Sequence, residues 1–395
     1  MQIATRINNI EASKTLQVKE KALQLKAKGI EVIDLTAGES DFQTPEFVAQ
    51  AGIQAIQEGF TKYTANNGIP ELRTNIALKL KKENNLEYTP EQIIVSNGAK
   101  QSILNALMAI INEGDEVILP SPYWVSYPEQ IKISGGKPVI IDTRYHQFKL
   151  SASLLQQHIT PNTRALILNS PCNPTGVVYT QSELVQLAEV LKNENIWIIS
   201  DEIYEKIIFD GLQHISIASL GNLIEKSIVI NGFSKSHSMT GWRVGYAAAP
   251  LAVVKAMSKI QGHYTSNASS ISQKAALAAL EESGTEVEKM RKTFEERRNF
   301  TQQQLDSRPY FSYVYPQGAF YFFINISKAF GRRAGELIIE NSLDFSAYVT
   351  ENYHMVSVPG IAFGANDYIR ISFTASLEEL ESGMQKLIQA MDQII

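Results

Sequence analysis

Lys235 lies in NGFSKSHSMTGWRVGY, directly after the apolar run SIVIN and among the small residues Gly232, Ser234, Ser236 and Ser238. A lysine amine taken out of water loses basicity and becomes a nucleophile toward aldehydes, so this position is a candidate for Schiff-base chemistry. A surface-loop lysine would need no such setting. The carboxyl end of a buried strand, by contrast, is where parallel α/β sheets bind ligands. Arg243 follows eight residues later, and its planar fork suits a phosphate dianion.

Four further segments end apolar runs in the same way. Asp201 in IWIISDEIYEKI closes a buried run, where a carboxylate is costly without a partner. It could cap a helix, or pair with a protonated pyridine nitrogen and make that ring an electron sink. Tyr204, three residues on, and Asn173 in SPCNPTG could both hydrogen-bond a phenolic oxygen on the same ring, although Asn-Pro is also a common turn pair. In SNGAKQS, the strand runs through Gly98 into Ala99 and Lys100 at a helix start, where free N–H groups favour a phosphate. Trp124 in SPYWVSYP could stack on an aromatic group or simply fill a core.

The elements that must position these residues follow from the pattern. IIVSN (93–97), EVILP (116–120), KPVII (137–141), RALILN (164–169), IWIIS (196–200), SIVIN (227–231) and VGYAAA (244–249) are Val/Ile-rich and mostly lack alternation. That suits strands covered on both faces. Helix-length segments between them include AKQSILNALMAII and SELVQLAEVLKNEN, the latter with Ser182 as the expected N-cap. Strands alternating with helices predict a mainly parallel α/β sheet. The ends differ. An amphipathic helix is expected from Val18 to Lys28. After about residue 283 come a long charged helix, the short strand-like FSYVYP, GAFYFFINI, MVSVPG and YIRISF, and a closing amphipathic helix.

Composition narrows the class. The 395 residues are 44% hydrophobic and 19% charged with a net charge of −5, so no nucleic-acid or anionic-membrane footprint is present. No run approaches ~18 apolar residues, and the opening MQIATRINNIEASKTLQV lacks the apolar core of a secretory signal. Cys172 is the only cysteine, which excludes an internal disulfide and suggests a reducing compartment, the cytoplasm. No metal site is expected.

Taken together, the chain resembles the class I/II pyridoxal-phosphate aminotransferases of fold type I, and within them the bacterial aspartate branch. The motifs that carry the likeness are LTAGESDFQTP, KYTANNGIPELR, NGAKQ, SPYWVSYP, NSPCNPTG, SDEIYE, GFSKSHSMTGWRVGY, PQGAFYFF, VPGIAFG and YIRISF, spread over residues 34–373. The resemblance implies a large domain (46–290) with a seven-stranded sheet sandwiched by helices. It adds a smaller α+β domain built from both termini, with residues 1–45 as arm and part of it and 291–395 as the rest.

It also implies roles. Lys235 would carry pyridoxal 5'-phosphate as a Schiff base and act as acid/base. Asp201 would hold the ring nitrogen, Asn173 and Tyr204 the ring oxygen, and Trp124 the ring face. Arg243, Ala99, Lys100 and Ser234 would surround the phosphate, and Tyr63 would reach the phosphate of a neighbouring subunit in a homodimer. Arg370, with Gly38, Asn173 and Trp124, would bind the substrate, Arg370 gripping its α-carboxylate. The implied reaction moves the amino group of aspartate or a related amino acid to 2-oxoglutarate by a ping-pong cycle. Alternatives are an aromatic or prephenate aminotransferase and a C–S β-lyase. Two departures stand out: Gly232 replaces a serine three residues before the lysine, and residues 244–290 lack the arginine that animal-type enzymes use for a distal carboxylate. In the bacterial branch that NGAKQ resembles, a lysine at the position of Lys100 is implied to neutralise that carboxylate, unless Lys100 serves the phosphate alone.

Overall fold

The protein is described by a computed structural model over residues 3–4, 7–8, 10, 15–281, 284–335 and 337–394. The chain enters through helix α1 (Thr15–Ala27), three residues earlier than Val18, and the short strand β1 (Ile33–Asp34). The seven apolar runs then form one sheet. Its strands are β2 (Ile93–Ser96), β3 (Glu116–Ser121), β4 (Lys137–Asp142), β5 (Thr163–Asn169), β6 (Trp197–Asp201), β7 (Ser227–Gly232) and β8 (Gly245–Ala248). Their order is β2-β8-β7-β6-β5-β3-β4. Strands β3 to β7 are parallel, and β8 runs antiparallel to both β7 and β2.

Eight helices accompany this sheet: α2 (Glu46–Gln57), α3 (Pro70–Asn84), α4 (Ala99–Ile110), α5 (Tyr127–Ile133), α6 (Ala152–His158), α7 (Gln181–Leu191), α8 (Leu251–Tyr264) and α9 (Ser270–Glu281). Both faces of the sheet are covered, which explains the missing alternation. Ile94, Ile228 and Ile230 pack with Ile103 of α4 and Met257 of α8 on one face. Ile93, Val95 and Val229 pack with Leu72 of α3 and Ala275 of α9 on the other. Each such side chain contributes on the order of 1.5–3 kcal/mol relative to exposure. Helix α7 corrects one expectation: its cap is Thr180, not Ser182. The Thr180 hydroxyl accepts from the Glu183 N–H, and the Glu183 carboxylate accepts from the Thr180 N–H. This reciprocal pair satisfies two orphan donors at once.

The long charged segment forms α10 (Thr285–Asp306), and a second, antiparallel sheet follows. Its strands are β9 (Ser312–Tyr313), β10 (Tyr321–Asn325), β14 (Val358–Pro359) and β15 (Tyr368–Ser372), in the order β14-β15-β10-β9. A hairpin of β11 (Arg333–Ala334) and β12 (Leu337–Ile338), and then α11 (Ser342–Tyr353) and β13 (Met355–Val356), lie between β10 and β14. The closing helix is α12 (Leu377–Ile394). Strand β1 pairs in parallel with β13, and the Ser372 N–H donates to the Leu35 carbonyl at 2.8 Å. Those bonds hold residues 34–38 against the end of β15. Among the described residues no helix is long and apolar enough to cross a membrane.

Candidate active site

The polar residues at the carboxyl ends of β5, β6 and β7 face a cavity of about 630 Å³. Lys235, Asp201, Tyr204, Asn173, Ser234, Arg243, Ala99, Lys100, Trp124, Gly38 and Arg370 all line it. Tyr63 does not: it is 89% exposed and lies outside the cavity of its own chain.

Neighbouring parallel strands place the central residues by register. Asn169 of β5 is paired with Asp201 of β6, and Asp201 with Ile230 of β7. The Asn169 amide bridges the strand ends, donating to the Asp201 carbonyl at 2.9 Å and accepting from the Asn173 N–H at 2.9 Å. The Asp201 carboxylate is buried; its Oδ2 accepts from the Tyr127 hydroxyl at 2.6 Å and its Oδ1 from the Ile203 N–H at 3.2 Å. Burial pushes its pKa up to about 6, against the pull of those two donors. Behind it, Glu202 is held by Ser200 at 2.8 Å, Ser216 at 2.5 Å and His214 at 2.9 Å, which pins the turn that carries Asp201 and Tyr204.

Lys235 projects its amine to the Gly38 carbonyl. Burial, with the Arg370 and Arg243 charges, brings its pKa down to about 8, although the Glu39 carboxylate opposes this. A fraction of the amine is therefore neutral near pH 7, the form a nucleophile and a base both need.

Arg370 is buried on β15, opposite Phe323 of β10. Its Nη1 donates to Asn173 Oδ1 at 3.0 Å and its Nη2 to the Thr36 carbonyl at 2.8 Å, while Nε is buried with no partner. The rings of Tyr321 and Phe363 lie 4.3 and 5.1 Å from the guanidinium. A buried cation on the wall of a cavity is suited to receive a carboxylate.

The cavity wall carries two further cations, Arg243 and Lys100, beside the head of α4. Gly98 at the head of α4 has φ +83°, and a Cβ there would sit 2.6 Å from Arg243 Nη2. Arg243 is braced by the Thr240 and Asn97 carbonyls at 3.0 and 3.3 Å. Gly245 packs so tightly that a Cβ would lie 2.4 Å from the Ala99 nitrogen, and one on Gly232 would lie 2.9 Å from the Gly245 Cα. The glycine at position 232 is thus required by its neighbour across the strands, and Ser234 puts a hydroxyl on the cavity wall two residues later. Lys100 holds its amine 4.9 Å from the Trp124 ring centroid, and burial and Arg243 lower its pKa.

This donor set fits pyridoxal phosphate on the residues present. The glycine cradle at α4 with Arg243 suits a dianion, Asp201 suits a protonated ring nitrogen, and the Asn173 amide and Tyr204 hydroxyl suit a ring oxygen. The Lys235 amine suits the aldehyde. Two residues that sequence reasoning did not single out belong to this wall: Tyr127 and Tyr321. Both lie inside quoted motifs, SPYWVSYP and PQGAFYFF, but neither has a spacing or charge that sets it apart from a core aromatic.

Known proteins resemble this chain over nearly its whole length. The family model described as aminotransferase class I and II matches residues 30–387. An aspartate aminotransferase of Geobacillus stearothermophilus is 45% identical, covering 99% of each chain. A probable aspartate/prephenate aminotransferase of Rickettsia bellii is 46% identical over 98% of each. The crystal structure of the aspartate aminotransferase from Rhizobium meliloti superposes with a TM-score of 0.97 at 40% identity, covering 100% of both chains. With that match over nearly its full length, the chain belongs to the class I and II aminotransferases, enzymes that use pyridoxal phosphate.

Proposed function

We propose that the enzyme transfers the amino group of L-aspartate to 2-oxoglutarate. The observation that carries this reading is a single cavity lined by Lys235, the buried Arg370 and a further cation, Lys100. A dicarboxylic substrate needs two cations held apart. Arg370 would take the α-carboxylate with its guanidinium fork, beside the Asn173 amide and the Gly38 backbone. Lys100 would neutralise the distal one.

Pyridoxal phosphate, when bound, supplies an aldehyde that condenses with amines and a protonated ring that accepts an electron pair. Lys235 would take the proton from the substrate Cα and return it to the carbon on the far side of the amino nitrogen, two atoms away, serving first as base and then as acid. Asp201 would keep the proton on the ring nitrogen. Tyr204 and Asn173 would hold the ring oxygen and Trp124 the ring face, while Arg243, Ser234, Ala99 and Lys100 would anchor the phosphate. Release of the 2-oxo acid leaves the amino group on the enzyme, and a second 2-oxo acid collects it, which makes the cycle ping-pong.

The working unit we infer is a homodimer in which Tyr63 of one subunit completes the phosphate site of the other; its 89% exposure supports this. The same reading divides the chain at residues 1–45, 46–290 and 291–395, with α10 crossing the last boundary. Pairing of β1 with β13 supports a small domain drawn from both termini. The lone, buried Cys172 supports a cytoplasmic setting.

A second reading, prephenate as amino acceptor, is favoured by the name of the Rickettsia bellii relative. Single-turnover half-reactions decide. With aspartate alone the bound cofactor should lose its visible absorbance and oxaloacetate should appear in one equivalent per site. The aminated enzyme is then offered 2-oxoglutarate and prephenate in turn. No half-reaction with aspartate would refute the proposal, and faster return with prephenate would assign the acceptor.

A further inference from the structure

Tyr127 opens α5 and is 2% exposed. Its hydroxyl donates to Asp201 at 2.6 Å, and its ring meets Trp124 edge-on, with centroids 5.3 Å apart and planes at 82°. It therefore touches two side chains assigned to the cofactor, one at the ring nitrogen and one at the ring face. Burial and then the Asp201 charge raise the ionisation of this phenol well above its ordinary value, so it is a fixed donor throughout the physiological range. Several titratable groups influence Asp201. Glu202 and Tyr204 follow it in the chain, Lys235 comes from the loop after β7, Cys172 from the loop after β5, and Tyr127 from α5. Among the described residues, Tyr127 is the side chain that hydrogen-bonds the carboxylate.

We propose that Tyr127 is a positioning residue for the reaction: its hydroxyl keeps Asp201 ionised and fixed in rotation, and its ring edge sets the plane of Trp124. The inference rests on the reading of Asp201 as the partner of the ring nitrogen. It acts on the cofactor through Asp201 and not by contact, so its effect belongs in the pH dependence of cofactor binding.

The sign follows from linkage. Binding to a protonated ring nitrogen requires the charged carboxylate, so affinity declines as pH falls through the Asp201 pKa of the cofactor-free protein, about 6. Removing a donor to the charged form raises that pKa. The experiment titrates cofactor-free protein with pyridoxal phosphate between pH 5 and 8.5, following absorbance. The cofactor's own protonations are common to all variants and cancel in the comparison. For Tyr127→Phe the decline should begin roughly half to one pH unit higher, giving about 2–5-fold weaker binding near pH 6 and almost no difference at pH 8. Replacing Tyr127 with 3-fluorotyrosine, a stronger donor of nearly the same shape, should move the decline the other way. It also provides the test if the Phe variant does not fold. Curves that superimpose on the wild type, or shift in the same direction for both variants, would overturn the proposal. Asp201→Asn separates the two levels. If it binds the cofactor like the wild type, the reading of Asp201 fails. If it loses affinity while the Tyr127 variants shift nothing, only the role of Tyr127 fails.

Discussion

The hydroxyls of Tyr204 and Tyr321 lie 2.9 Å apart, both side chains are buried, and the Tyr321 ring also lies under the Arg370 guanidinium. One aromatic residue thus braces the proposed ring-oxygen contact and the proposed carboxylate fork together. Tyr321→Phe keeps the ring beneath Arg370 but leaves Tyr204 without this partner. The expected result is a fall in kcat of about fivefold, the worth of one ordinary hydrogen bond of ~1 kcal/mol. KM for the amino acid should stay within about twofold, since the fork is intact. Steady-state kinetics with aspartate separate the two, and a change confined to KM would contradict this division of labour.

For Lys235→Ala, turnover should fall by at least ~10³-fold, because base and nucleophile are lost together. Retention of full activity would overturn the central assignment. The depressed pKa adds a stability prediction for the cofactor-free protein. Between about 8 and the ordinary lysine value of 10.5, the unfolded chain binds more protons at this site than the folded one, so Lys235 stabilises the fold progressively as pH rises through that window. Below about 8 both states are protonated, and the cost of the buried charge is fully present. Lys235→Met should therefore melt above the wild type below pH 8, and that gap should close as pH rises from about 8 to 10.5.

Arg370→Lys preserves the charge but discards the fork and the stacking on Tyr321. We expect KM for aspartate to rise by about 30–100-fold, on the order of 2–3 kcal/mol for a charged bidentate contact. Binding of pyridoxal phosphate to the same variant, measured by absorbance, should change by less than about threefold. Parallel losses in both would place Arg370 in the cofactor site.

Lys100 is the residue on which acidic-substrate preference depends. Lys100→Ala should lower kcat/KM for aspartate by about tenfold or more and leave that for tyrosine within about threefold. The ratio of the two half-reaction rates is the measurement. An unchanged ratio, with weaker cofactor binding, would make Lys100 a phosphate contact alone.

Much of this enzyme was written along the chain. Seven Val/Ile-rich runs without alternation announced a sheet covered on both faces, because burial on two sides leaves a signal that needs no partner to be read. The polar residues that end those runs were equally visible, since Asp201 and Lys235 are costly there unless they have chemistry to do. Other features depended on contacts between distant segments. Simple alternation along YIRISF would let Arg370 face solvent; its burial is created by Thr36, Asn173, Tyr321 and Phe363, which four different segments bring to it. Tyr127 reaches Asp201 across 74 residues and Tyr321 reaches Tyr204 across 117, and nothing local distinguishes either from a core aromatic. Gly232 looked like a missing hydroxyl until Gly245 was seen to occupy the space of any side chain there. By itself, then, the sequence determined the elements and the reactive groups, which are properties of single segments. Only the tertiary structure decided which aromatic rings and backbone carbonyls surround them, because hydrogen bonds and close approach depend on distances that local sequence does not encode.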